Sequence, residues 1–144
     1  MSDAKADTEA LMNALLPFAE RMLTRHGEFF PFGGAMKPNG EIVNVAGYDG
    51  RERPSSNDLI ELLNEGFRKD AKDGRYKATA VVYDVRVTLP STTTLSDAIA
   101  VALDHRDNYS VVVLLPYTLV GGILQIGEPF AERGAHNVFK PLGH

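Results

Sequence analysis

Two stretches near the middle of the chain alternate apolar and polar positions with a period of two. In the first, Val81, Tyr83, Val85 and Val87 fall on one side, and Ala80, Val82, Asp84, Arg86 and Thr88 on the other. In the second, Ile99, Val101, Leu103 and His105 share a side, opposite Ala100, Ala102, Asp104 and Arg106. Successive side chains of a strand point to opposite faces, so each run predicts a strand with two unlike faces. Asp107-Asn108 supplies turn residues that tolerate left-handed backbone, and the chain then enters Val111–Leu115. That run is apolar at every position, which predicts a strand covered on both faces near the middle of a sheet.

Helical periodicity appears twice. Leu11, Leu15, Phe18 and Met22 recur at helical spacing over residues 8–26, with Asp7 or Thr8 as cap and Gly27 as stop. Pro17 lies inside this pattern and predicts a bend near Asn13–Pro17. Between Ser55 or Ser56 and Gly74, the residues Leu59, Ile60, Leu62, Leu63, Phe67 and Ala71 form a second stripe, with Asp58 in its first turn and Arg68, Lys69 and Lys72 near its end.

The remaining elements follow from turn chemistry. Pro38-Asn39-Gly40 joins the aromatic run 28–37 to the alternating run 41–46, a hairpin in which Pro31 implies an edge position or a late start to pairing. Gly33-Gly34 lacks the spacing of a phosphate loop and reads as a bulge or close backbone contact. Gly121-Gly122 leads into a short strand at Ile123–Ile126. Residues 1–7 and 129–144 read as irregular, with Phe130, Val138, Phe139 and Leu142 as anchors. The expected fold is α+β. A mostly antiparallel sheet of five or six strands arises in the order helix-β-β-helix-β-β-β(-β), as one domain. The second helix packs on one face and the first on the other or across an edge.

Composition narrows the classes. A chain of 144 residues, 44% hydrophobic, suits one domain with a core. Fifteen basic against 19 acidic residues give a net charge of −4 and no basic stripe, so nucleic acid is not expected as a partner. The absence of cysteine excludes disulfides and thiolate chemistry. The polar, acidic start is unlike a secretory signal, and no apolar run is long enough to span a bilayer. A soluble cytoplasmic domain without a membrane partner is expected.

Four phrases, Gly27-Glu28-Phe29-Phe30-Pro31-Phe32-Gly33, Tyr48-Asp49-Gly50, Tyr83-Asp84-Val85-Arg86-Val87 and Leu103-Asp104-His105-Arg106-Asp107, occur in this order. On these the chain, over about residues 10–128, resembles a group of small bacterial proteins to which no activity is attached. The resemblance implies no catalytic residue. The element order is also similar to that of profilin-like and roadblock-like domains, an analogy of topology that licenses no function.

Candidate chemistry is sparse. His105 is the natural acid–base group, because histidine titrates near neutrality. His26, His136 and His144 show no metal-ligand spacing, and Ser91-Thr92-Thr93-Thr94 has no adjacent base. If Thr88 pairs with Ala98, then Asp84, Arg86, Asp104 and Arg106 share one face and form either a salt-bridge ladder or a polar recognition surface. The expected function is a non-catalytic module that binds another protein, of immunity or antitoxin type or as a homodimer, with no cofactor and no metal. The alternative is a small hydrolase or ligand-binding enzyme using His105 with Asp84 or Asp104.

Overall fold

In the computed structural model, which describes residues 3–46 and 55–139, the first helix α1 (Ala4–His26) starts four residues before the stripe that predicts it. Asp3 is the cap: its carboxylate accepts the backbone N–H groups of Lys5 and Ala6. Asp7 and Thr8 lie inside the helix, so residues 4–7 are helical and not irregular. The helix runs through Pro17 as one element. Pro17 and Asn13 both face solvent, where the Asn13 carbonyl freed by proline can bond water. Phe18, expected in the core, is 42% exposed and packs edge-on against Phe32.

The hairpin β1 (Phe32–Met36) and β2 (Ile42–Ala46) follows, then α2 (Ser56–Lys72), capped by Ser55, whose hydroxyl accepts the Asp58 N–H. Three long strands come next: β3 (Ala78–Thr88), β4 (Leu95–His105) and β5 (Tyr109–Val120). Asn108 takes φ 62° in the β4–β5 turn. Gly121 and Gly122, at φ 58° and 78°, turn the chain into β6 (Ile123–Ile126), as a two-residue hairpin with both dihedrals positive requires. A last strand, β7 (Phe130–Arg133), occupies a segment expected to be irregular. Its charged residues and preceding proline hide any alternation, and pairing with β5 supplies its order.

The strand order is β2-β1-β3-β4-β5-β6, every pair antiparallel, and β7 also pairs with β5. Because β6 takes Tyr117–Val120 and β7 takes Val111–Leu114, the two share one edge line. β5 therefore lies one strand in from that edge. β1 is interior, so Pro31 marks a late start to pairing and not an edge strand.

The two helices cover opposite faces. Leu11, Leu15, Ala19 and Leu23 of α1 pack on Ala78, Ala80, Val82, Ile99, Val101 and Leu103. Leu63 and Phe67 of α2 pack on Ala35, Val81, Tyr83 and Ala102, joined by Val138 of the tail. Leu62, expected in that stripe, is turned outward. Gly33 and Gly34 let both helices approach β1. A β-carbon on Gly34 would stand 2.7 Å from Leu15, and one on Gly33 would stand 2.8 Å from the Ala80 carbonyl and 3.0 Å from the Phe67 ring. No helix among the described residues is long and apolar enough to cross a membrane.

Candidate functional site

The β3–β4 register decides which charged residues meet. Thr88 pairs with Leu95, not Ala98, so Arg86 stands opposite Asp97, Asp84 opposite Ile99 and Thr79 opposite Asp104. A shift by an odd number of residues moves every partner to the other face. Asp84 and Arg86 consequently lie on the α1 face, Asp104 lies on the α2 face, and Arg106 lies beyond β4 in the turn. The four residues expected to form one surface are separated into two groups.

Asp104 is 6% exposed and fastens the chain's tail. Its carboxylate accepts the Ser110 hydroxyl and, at 2.8 Å, the backbone N–H of Val138, while the Ser110 oxygen accepts the N–H of His136. Serine, aspartate and histidine thus come together here, but His136 bonds the Ser110 oxygen through its backbone N–H, so the serine–imidazole hydrogen bond of a catalytic triad is not formed.

Asp84 lies at the far end of the other face, where its carboxylate accepts the Tyr117 hydroxyl at 2.8 Å. Burial raises the Asp84 carboxyl, and the nearby charges of Asp97 and Glu28 add to this against the Tyr117 and Val85 hydrogen bonds. Burial and the hydrogen bond to Asp84 push the Tyr117 phenol well above its usual range.

His105 reaches neither Asp84 nor Asp104. It is registered against Ala78, so Asp84 stands six residues further along β3, about 20 Å away at the rise of a strand. Asp104 points to the opposite face. His105 meets Asp7 at 2.8 Å in a fully buried position, a partner outside both sequence patterns. Among the described residues, no three His, Asp or Glu side chains group as a metal site requires.

The surface with the clearest unmet physical demand is the β5–β6 edge. From Ser110 to Gly127 the sequence carries no charged residue. At the end of the sheet formed by this hairpin, Leu95 is 61% exposed, Val120 75%, Ile123 66% and Ile126 38%. Val120 and Ile123 pair on one face, whereas Ile126 pairs with Tyr117 on the other, so apolar surface wraps the edge. Between this edge and α1 runs a groove whose β6 side is Leu124 and Ile126 and whose α1 side carries Pro17 with the charged Glu20, Arg21 and Arg25. Edge strands are ordinarily protected by charge, proline or a covering element. β6 itself carries neither charge nor proline, and α1 covers only the face to which Leu124 contributes.

No family model matches the chain, and neither a curated protein nor a solved structure matches it. Function has to be read from the residues themselves.

Proposed function

We propose that the chain is a non-catalytic protein-binding module that self-associates through the β5–β6 edge. The supporting observation is the uncharged, exposed apolar edge of β6 with Val120 beside it. An antiparallel pairing of β6 with the β6 of a second copy satisfies its open backbone groups and sets like surface on like surface about a two-fold axis. A chain of net charge −4 repels its copy, and a neutral edge is where that repulsion is least. Inhibition of a partner enzyme, in the manner of an immunity protein or antitoxin, and a cytoplasmic location belong to the same proposal, and self-association is the version that the surface favours. The enzyme reading has no comparable support, because His105 is buried away from Asp84 and Asp104.

Sedimentation equilibrium tests the reading. The native chain is expected to dimerise at tens of micromolar, in the range of about 6–7 kcal/mol of association. Ile123→Lys should make it monomeric with little change in thermal stability, since Ile123 is exposed. A native chain that stays monomeric at about a hundred micromolar overturns the proposal.

A further inference from the structure

We propose that the cleft between α2 and the tail is a binding site for a small organic anion, a phosphate or carboxylate attached to an apolar body. The cleft measures about 780 Å³ and is lined by Arg68, Lys69 and Lys72 of α2, Arg106 of the β4–β5 turn, and Val138 and Phe139 of the tail. That volume lies within the range of small-molecule sites, roughly 300–1,000 Å³. Four of the chain's 15 basic residues therefore border one cavity in an acidic protein, and no Asp or Glu of the described residues lines it.

A helix C-terminus attracts lysines without any ligand, which accounts for Lys69 and Lys72. It does not account for Arg106, which a separate turn brings to the same cavity. Of the carboxylates around the site, one faces a cation of the cleft and two are engaged elsewhere. Glu61 faces Arg68 at 3.4 Å, Asp70 faces Arg75 at 3.6 Å, and Asp104 is held by Ser110 and Val138. Arg68 is also fixed by donating from Nε to the Asn137 carbonyl at 2.6 Å. The tail wall is anchored by Asp104 beneath it, so both walls are set before a ligand arrives, which lowers the ordering cost of binding. The cations fit an anionic group, and Val138 and the half-buried Phe139 fit an apolar one. A compact anion meets this local field, whereas an extended polyanion also meets the negative charge of the rest of the surface.

The test uses naphthyl phosphate as probe, with inorganic phosphate and naphthol as separate arms, followed by fluorescence and calorimetry on the full chain. Naphthyl phosphate should saturate a single site at submillimolar concentration, and each half alone should bind at least about tenfold more weakly. Arg106→Ala and Lys72→Ala, both at exposed positions, should each weaken binding by about tenfold with unchanged thermal melting. Raising the salt should weaken it several-fold, as screening of exposed charge requires. Absence of saturation by about 5 mM overturns the assignment. Equal affinity for naphthol, or full affinity in both variants, also overturns it. Binding of an acidic polypeptide or a nucleic acid without any binding of the probe would assign the cleft to a macromolecule and likewise end the proposal. Self-association through β6 is independent of every one of these outcomes.

Discussion

The imidazole Nε2 of His105 lies 2.8 Å from the Asp7 carboxylate and joins the end of β4 to the first turn of α1. Its Nδ1 accepts the backbone N–H of Asp107 at 3.0 Å, so Nε2 carries the proton that Asp7 receives. The Lys77 ammonium stands 3.3 Å from the same carboxylate oxygen. One carboxylate thus serves two donors, one at the end of β4 and one just before β3. Its charge also suits the helix N-terminus.

Asp7→Ala removes the shared acceptor and leaves His105 and Lys77 unpaired in a largely buried place. A loss of about 1–3 kcal/mol at pH 7 is expected in urea denaturation. Burial alone would raise the Asp7 carboxyl, but hydrogen bonds and charge from His105 and Lys77 outweigh it and hold the group below its ordinary 3.8. A depressed folded value means that the contribution is complete above the unfolded pKa and fades as pH falls through the folded one. The gap between native and variant should therefore persist at mildly acidic pH and close only below 3.8. A gap already gone at mildly acidic pH contradicts the assignment.

The glycines make a paired test. Gly33→Ala drives a β-carbon to 2.8 Å from the Ala80 carbonyl, backbone that cannot swing aside, and should cost about 1–3 kcal/mol. Gly66 lies within α2 with open space around its would-be β-carbon. Gly66→Ala should stabilise by about 0.5–1 kcal/mol through helix propensity. Thermal melts showing equal effects of the two substitutions would be inconsistent with this packing.

What could be read from sequence was what depends on near neighbours. Pro38-Asn39-Gly40, Asp107-Asn108 and Gly121-Gly122 are turns whose chemistry lies within a few residues, and the α2 stripe repeats along one helix. The side-chain alternation within β3 and within β4 was equally legible. Their mutual register was not, because it is settled by the loop from Leu89 to Thr94, in which Leu89 and Thr94 pair and Thr93 takes φ 56°. That offset separated Asp84 and Arg86 from Asp104. Asp7 and Lys77 had no signal either: each looks like an ordinary helix-start or strand-start charge until folding sets it beside His105. The short strand at Ile123–Ile126 was legible from the Gly121-Gly122 turn, but the sharing of one edge line by β6 and β7 was not. The tyrosine loop around Tyr48 and the anchor Leu142 lie outside the described residues.

Asp84→Asn probes the other end of the α1 face. Burial raises the Asp84 carboxyl above its ordinary 3.8, so folding must keep the ionised form in an unfavourable place at neutral pH. A raised folded pKa in an acid means a penalty present above the folded value and absent below the unfolded one. An asparagine oxygen can still accept the Tyr117 hydroxyl. The variant is expected to melt at a higher temperature than the native chain at pH 7, and the advantage should shrink as pH falls toward 3.8. Lower stability at pH 7 would mean that the charge itself is needed there.

Asp104 and Arg86 should now behave differently, although the sequence set them together. Arg86 is exposed, and Arg86→Ala should change stability by less than about 0.5 kcal/mol. Asp104→Ala leaves the Val138 N–H and the Ser110 hydroxyl without their acceptor in a buried place, which should cost about 2–4 kcal/mol. The loss should begin locally, because the carboxylate holds the tail from His136 to Val138 onto β4 and β5. Hydrogen exchange should show the Val138 amide unprotected in Asp104→Ala while the amides of β3 remain slow. If Val138 stays protected, the tail is held by Val138 packing against Leu63 and Phe67 and by Arg68 on the Asn137 carbonyl, and Asp104 is not its anchor.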